Sequence, residues 1–247
     1  MSIPSTVKFS CTFAKSPTDC GFSEQAKVPG RATLVNVARD GATGVRLHTE
    51  SGDNNVAGSG DSERDDLSLS QLLTDGFQGQ EHWWAHSILF PSDYVDPPSA
   101  DGGWGVVFDF HNTTAGPGQA NFHVDAMPAT QPFADRRTGL WFRGYGGSAS
   151  TPVEFNSYIG PVARNVWYDF VYHVKWSSGS DGFFKAWVNG VLKLNHVGPT
   201  LYTDQGVYLK LANYHSPFGL PSSVVHDRII RGTTWQDVSL TPLEGVQ

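Results

Sequence analysis

The stretch that decides the fold is DFVYHVKWSSGSDGFFKAWVNGVLKLN, residues 169–195. Residues 170–176 alternate between two sets of side chains, as successive positions of a β-strand do. A polar turn at residues 177–182 leads into a second strand. Asn189-Gly190, a preferred pair for a two-residue hairpin turn, then leads into a third. Three consecutive antiparallel strands form a twisted sheet, so this stretch predicts a curved β-sheet that can present a concave groove.

Short strand candidates are spread evenly along the rest of the 247 residues. Clusters of Gly, Pro, Asn, Asp and Ser separate them, and a helix is expected only in short pieces, such as residues 67–76. This pattern predicts a single all-β domain over residues 1–247, a two-sheet antiparallel jelly-roll sandwich of the concanavalin-like type. The candidates lie at residues 6–13, 32–38, 44–50, 81–91, 103–111, 119–127, 139–146, 166–177, 182–190, 207–214 and 223–232.

Charge and hydropathy exclude several classes of function. The formal net charge is -7, whereas a general nucleic-acid binder would carry a basic face. No stretch is apolar enough to span a membrane, and no basic segment followed by an apolar run marks a signal peptide at the start. The two cysteines, Cys11 and Cys20, either form a disulfide across a short loop or remain free thiols, and their number does not set the compartment.

One face of the predicted strand YLKLANY, residues 208–214, has an unusual composition. A strand that only fills a core places Val, Ile or Leu on its inward face. Here the two leucines alternate with a mostly polar set of two tyrosines, a lysine and an alanine. This polar set is either a solvated outer face or the floor of a binding site. That set consists of Tyr208, Lys210, Ala212 and Tyr214.

Three short motifs follow one another along the predicted strands: ERDDL at 63–67, DFH at 109–111 and YLKLANY at 208–214. In this order they resemble motifs of the jelly-roll polysaccharide lyases, and the resemblance extends from about residue 40 to the end of the chain. The sequence most resembles the heparin-lyase-I-like and glucuronan-lyase-like group, and its resemblance to the alginate lyases is more distant. The resemblance implies an enzyme that cleaves a uronic-acid-containing polysaccharide by β-elimination and leaves a 4,5-unsaturated uronate.

The resemblance assigns catalytic roles to three residues. Arg64 matches the arginine of an Arg-x-Glu-Leu strand and would clamp the uronate carboxylate with its planar guanidinium. Tyr214 matches the catalytic tyrosine and would act as the acid for the leaving oxygen. The base that removes the C5 proton is either Tyr214 itself or His111, which matches the histidine of a Gln-x-His motif and could instead donate to the carboxylate.

Further residues are expected to bind substrate. Lys210 matches a motif lysine and would contact the sugar or make the Tyr214 hydroxyl more acidic. Asp109 stands where the family has glutamine, and it places a negative charge beside a negative substrate unless its surroundings keep it protonated. Alternatively, Gln119 supplies the missing amide, with His123 on the same face. A third reading is that the chain has lost activity or acts on a different sugar.

Two more sets of residues complete the predicted site. Arg143 can line a groove for an anionic chain by charge steering, and Trp141 on the same face can stack on a sugar ring. The resemblance also implies a structural calcium between the terminal strands, with Asp227 as the candidate ligand. No cofactor is expected to take part in the elimination.

The sequence therefore predicts a monomeric polysaccharide lyase whose partner is an anionic polysaccharide. An alternative is a non-catalytic carbohydrate-binding module on the same fold, which would need the groove but not the Arg, His and Tyr set. A glycoside hydrolase ranks last, because it needs two carboxylates that flank the scissile bond. The function favours secretion, and the uronic acid, the linkage and the choice between internal and terminal cleavage stay open.

Overall fold

Fifteen strands and a few single-turn helices make up the regular structure of the residues that the computed structural model describes, which are 6–99, 102–114, 119–129 and 137–240. Within these ranges, no helix has the length and apolar character needed to cross a membrane. The helices are α1 (Gln71–Thr74) and α2 (Trp235–Val238), with 3-10 turns at Asp19–Gly21 and Val56–Gly58. The strands are β1 (Phe9–Cys11), β2 (Phe22–Ala26), β3 (Thr33–Val35), β4 (Gly44–Thr49), β5 (Glu63–Leu69), β6 (Glu81–Leu89), β7 (Gly105–Asn112), β8 (Phe122–Met127), β9 (Gly139–Ser148), β10 (Thr151–Gly160), β11 (Trp167–Lys175), β12 (Phe183–Val188), β13 (Val191–Val197), β14 (Val207–His215) and β15 (Ser222–Gly232).

The strands form two antiparallel sheets that pack face to face. The first sheet has the order β13-β12-β11-β6-β15-β4-β3, and β1 also pairs with β15. The second sheet has the order β10-β9-β8-β7-β14-β5-β2. Each sheet combines consecutive hairpin strands with neighbours that are distant in sequence, such as β6 beside β15 and β7 beside β14. This arrangement is typical of a jelly roll and confirms the predicted all-β sandwich.

The hairpins at residues 169–195 have the predicted form. β11, β12 and β13 follow one another in the first sheet. Phe170 of β11 pairs with Val188, which is the last residue of β12 before the tight turn. Asn189 and Gly190 have φ of 50° and 80°, so both adopt the left-handed conformation that a type I′ turn requires.

One aromatic core lies between the sheets. The rings of Phe122 in the second sheet and Phe184 in the first stack with centroids 3.9 Å apart. Leu209 and Leu211 are fully buried in the same core. Because successive side chains of a strand point to opposite faces, this burial directs the polar set of β14 away from the core.

The strands β2, β5 and β10 were not among the strand candidates drawn from periodicity. β2 is short, and β10 is an edge strand whose side chains are mostly exposed, so neither shows an apolar alternation. The prediction of helix at residues 67–76 is wrong for its first part, because β5 continues to Leu69. The helix begins only after Ser70, whose hydroxyl accepts a hydrogen bond from the backbone N–H of Leu73 and caps the helix.

The carboxylate of Asp227 accepts three backbone hydrogen bonds, and its assignment as a calcium ligand stays a prediction. One oxygen accepts the backbone N–H groups of Arg39 and Asp40 at 2.7 and 2.8 Å, and the other accepts that of Arg228 at 2.7 Å. Both oxygens are thus engaged at the irregularity where β15 passes β6. Across the part of the chain that the structure describes, no group of three or more His, Cys, Asp or Glu could hold a metal ion.

Cys11 and Cys20 form a disulfide, which resolves the two alternatives that the sequence left open. It ties β1 to the 3-10 turn at Asp19–Gly21, and the cysteines are nine positions apart. A cross-link of this span reduces the conformational entropy of the unfolded chain and is expected to stabilise the fold by about 2 to 3 kcal/mol.

This cross-link generates a testable prediction. Replacement of both cysteines, Cys11→Ala with Cys20→Ala, is expected to lower the free energy of unfolding by about 2 to 3 kcal/mol in urea. The reduced wild-type protein is the matched control and should show the same loss. Titration of thiols in the denatured, unreduced protein should find none, and two reactive thiols there would contradict the disulfide.

Candidate active site

A cleft of about 510 Å³ lies on the face of the second sheet that points away from the core. The strands β9, β8, β7, β14 and β5 are consecutive neighbours there and supply most of its surface. Seven of the predicted site residues line this cleft, and Gln119 is one of them. Its lining consists of Arg64, Trp104, Val106, Asp109, His111, Gln119, Ala120, His123, Asp125, Met127, Arg143 and Tyr214.

The Tyr214 side chain is held from two sides. Tyr214 pairs directly with Arg64 of β5, and the guanidinium carbon lies 3.9 Å from the centre of the tyrosine ring. The ring of Trp104 packs edge-on at 4.8 Å. Opposite β7, the register of β14 shifts between Leu211 and Tyr214, and such an irregularity re-aims the side chains that follow it. The tyrosine therefore enters the cleft with a fixed ring orientation.

The His111 ring has a defined tautomer. Its Nδ1 lies 2.9 Å from the backbone carbonyl oxygen of Asn112. A carbonyl oxygen only accepts, so Nδ1 must carry the proton, and Nε2 of the neutral ring is then a proton acceptor. His111 lines the same cleft as Tyr214, and this arrangement suits a base.

Beneath the cleft, one carboxylate joins two cations. The same oxygen of Asp66 lies 3.1 Å from Nε of Arg64 and 2.7 Å from Nζ of Lys210. Asp66 sits directly opposite Ala212, whose small side chain leaves space between the two cations. We call Arg64, Asp66 and Lys210 the buried ion triad. It orients the guanidinium that faces Tyr214.

The structure changes the role expected for Lys210. Only 2% of its surface is exposed and it does not line the cleft, so a direct contact with substrate is wrong for this residue in the observed conformation. Burial by itself lowers the pKa of Lys210, but its acidic neighbours, the Asp66 carboxylate first, outweigh this effect and raise it above its ordinary value. Lys210 therefore stays charged, and its ammonium stabilises the Asp66 carboxylate beneath the cleft.

A row of polar side chains crosses four strands at one level of the cleft. Lys210 pairs with Asp109, Asp109 with His123, and His123 with Arg143. Burial alone lowers the pKa of His123, yet the nearby carboxylates, Asp125 first, raise it above its usual value. Three members of this row, Asp109, His123 and Arg143, line the cleft, and Asp109 is the acidic one.

Asp125 is a cleft residue that the sequence reasoning missed. It lies 3.3 Å from Nδ1 of His123 and 3.8 Å from a terminal nitrogen of Arg143. Its position two residues after His123 on β8 was the available signal, because such residues share a face. Arg143 also contacts the Tyr145 hydroxyl and Glu154, so these two side chains and Asp125 fix its guanidinium.

The aromatic platform differs from the predicted one. Trp141 shares its strand face with Arg143, as expected, but only 3% of it is exposed. Its indole N–H donates to the carbonyl of Arg137, and its ring packs against Tyr158 at 5.1 Å. Trp141 does not line the cleft, which corrects its assignment to substrate. Trp104, which the sequence analysis did not single out, lines the cleft in its place.

The neighbours of Tyr214 point into the sandwich, as β-strand alternation predicts. The Asn213 amide donates to the carbonyl of Ser222 at 2.9 Å, and His215 lies within hydrogen-bond distance of the Thr49 hydroxyl. Burial lowers the pKa of His215 to about 4, so this ring is neutral near pH 7. Neither residue belongs to the cleft.

The fold is shared with solved polysaccharide lyases. An endo-β-1,4-glucuronan lyase from the fungus Trichoderma reesei matches with a TM-score of 0.67 and 14% identity, covering 94% of this chain and 98% of that chain. A mutant of alginate lyase Aly36B in complex with alginate trisaccharide matches with a TM-score of 0.60 and 13% identity, covering 92% and 98%. Alginate lyase vAL-1 from Chlorella virus matches with a TM-score of 0.50 and 13% identity, covering 87% and 93%. At these identities the likeness shows the fold alone.

Family membership rests on a separate finding. No curated protein sequence matches this chain. The family model described as "Polysaccharide lyase" matches residues 21–234, which include every strand of the cleft. The chain therefore belongs to the polysaccharide lyase family.

Proposed function

We propose that the protein cleaves a uronic-acid-containing polysaccharide by β-elimination and leaves a 4,5-unsaturated uronate on one product. The observation that carries this proposal is the meeting of Arg64, His111 and Tyr214 in one cleft. They supply a carboxylate clamp, a proton acceptor and a proton donor, which are the three functions that the elimination requires.

Arg64 is the group that makes the C5 proton removable. Loss of this proton loads negative charge onto a carboxylate that is already charged, so the barrier falls only if donors meet that charge as it develops. A guanidinium has five N–H donors. The contact of Nε with Asp66 therefore leaves the terminal nitrogens for a substrate carboxylate.

Tyr214 delivers a proton to the leaving oxygen at C4. Its ring orientation is fixed by Arg64 and Trp104, so its hydroxyl occupies one position relative to the clamped carboxylate. The electron pair of the C5–H bond forms the C4–C5 double bond, and the C4–O bond breaks. The base is either Tyr214 itself or Nε2 of His111, and both lie on the same cleft surface.

The composition of the cleft suits an anionic sugar chain. Arg64, Arg143 and two histidines supply positive or protonatable groups, and Trp104 supplies an aromatic surface for a sugar ring. The names of the solved neighbours single out glucuronan and alginate as the first substrates to test.

Ultraviolet absorbance during incubation with glucuronan, alginate, heparin, heparan sulfate, hyaluronan and pectate tests the proposal. The new double bond is conjugated to the carboxylate and absorbs where the substrate does not. We expect absorbance to rise with at least one of these polymers. A flat trace with all six, together with measurable binding to one of them, would instead identify a carbohydrate-binding module.

The role of Tyr214 is tested by removing one oxygen atom. Tyr214→Phe keeps the ring between Arg64 and Trp104 but removes the proton donor, so kcat should fall by at least about a hundredfold on the polymer that reacts. Tyr158→Phe is the matched control, because that hydroxyl donates to the carbonyl of Thr138 outside the cleft. Equal rates for both variants would exclude Tyr214 as the acid.

A further inference from the structure

Asp109 is the least compensated carboxylate of the cleft. It lines the cleft, yet only 5% of its surface is exposed. Its Oδ1 is buried without a hydrogen-bond partner among the described residues. No described Lys, Arg or His forms an ion pair with it, in contrast to Asp66 and Asp125 nearby. A buried carboxylate without a partner is costly.

The cations next to Asp109 have closer partners of their own. Lys210 is directly opposite on β14, but its ammonium lies 2.7 Å from Asp66. His123 is directly opposite on β8, but its Nδ1 lies 3.3 Å from Asp125. Asp66 and Asp125 therefore largely neutralise the cations on either side of Asp109.

The remaining charged neighbours do not reverse this balance. Arg64 on β5 contacts Asp66, and Arg143 on β9 contacts Asp125 and Glu154. His111, two residues along β7, shares the cleft. Burial raises the pKa of Asp109 above its usual value, and this effect outweighs the opposing influence of Lys210, His111 and His123.

We propose that Asp109 is a substrate-binding residue that receives the substrate's uronate carboxylate as a neutral carboxylic acid, donating a hydrogen bond through its own O–H. This inference rests on the proposed function, since it names the group that meets the substrate carboxylate beside Arg64. It chooses among the alternatives for this position: the acid itself replaces the amide of the related lyases, and no other residue needs to.

The chemistry of a neutral acid fits the place. A protonated carboxyl has one donor and remaining acceptor capacity, as a side-chain amide does, whereas an ionised carboxyl only accepts. The uronate carboxylate offers only acceptors. Ionised Asp109 would therefore face it with two like charges and no proton between them, and neutral Asp109 forms a charge-assisted hydrogen bond.

The direction of the pH dependence follows. Asp109 is neutral below its pKa in the folded protein, so the cleft accepts a uronate there. As the pH rises through that pKa, Asp109 ionises and binding weakens. His123 also loses charge as the pH rises, so its contribution has the same sign. A comparison with Asp109→Asn separates the two, because this variant keeps both histidines and replaces only the acid.

Binding of trisaccharides of glucuronate and mannuronate, measured by calorimetry, tests the inference. Both proteins carry Tyr214→Phe, which prevents turnover, and the second also carries Asp109→Asn. At about pH 5 the two Kd values should agree within about threefold. The ratio of Kd at about pH 8 to Kd at about pH 5 should be at least about tenfold larger with Asp109 present. Asp93→Asn, a carboxylate paired with Arg46 outside the cleft, is the matched control and should keep the larger ratio.

Three results would overturn the inference: equal ratios with and without Asp109, loss of binding in Asp109→Asn at both pH values, or no binding of either trisaccharide at about pH 5. The readout is binding, so it separates this inference from the proposed function. If binding shows the expected pattern while no polymer is cleaved, the role of Asp109 stands and the elimination does not.

An infrared measurement keeps the inference testable without substrate. The difference spectrum between wild type and Asp109→Asn at about pH 6 should contain the carbonyl band of a protonated carboxylic acid, because Asp109 is buried and none of the described cations forms an ion pair with it. A carboxylate band in its place would show that Asp109 is ionised and would contradict the proposal.

Discussion

The buried ion triad of Arg64, Asp66 and Lys210 is the interaction on which the cleft depends. Three charges leave water together, and each such ion costs several kcal/mol unless its partners are well placed. Asp66 meets both cations with one oxygen, at 3.1 and 2.7 Å. The triad thereby fixes the guanidinium over the Tyr214 ring. Within it, Lys210 forms its ion pair with Asp66 rather than with Asp109. The Asp66 carboxylate thus orients the guanidinium against the Tyr214 ring and leaves Asp109 without an ion pair among the described residues.

β-strand alternation connects this triad with the rest of the molecule. Leu209 and Leu211 belong to the aromatic core, so the intervening Lys210 must lie on the other face of the second sheet. The same rule brings side chains from five neighbouring strands to one surface. The core thus determines which residues meet in the cleft, and a shift of β14 by one residue would bury Tyr214 and expose the leucines.

Much of this could be predicted from the sequence, because it depends on local patterns. The hairpins at 169–195 and the sandwich followed from alternation and turn residues, and the meeting of Arg64, His111 and Tyr214 was implied by the resemblance of three short motifs to those of polysaccharide lyases. The depth of each side chain could not, because it depends on neighbours from distant strands. Lys210 is therefore buried in an ion triad, and Trp141 is covered by Tyr158 rather than open to sugar. The hydrogen bonds that Asp227 accepts from Arg39 and Asp40 could not be predicted either, because these residues belong to a loop almost two hundred residues earlier. Trp104 and Asp125 carried no motif.

The central claim is that a uronate lies on the second sheet with its carboxylate at Arg64. A crystal structure of the Tyr214→Phe protein with a bound glucuronate or mannuronate oligosaccharide tests this most directly. We predict a sugar carboxylate within hydrogen-bond distance of the Arg64 guanidinium, with C5 facing the place of the missing Tyr214 hydroxyl. An oligosaccharide bound in the cleft with its carboxylates directed away from Arg64, or bound to the first sheet, would contradict the account.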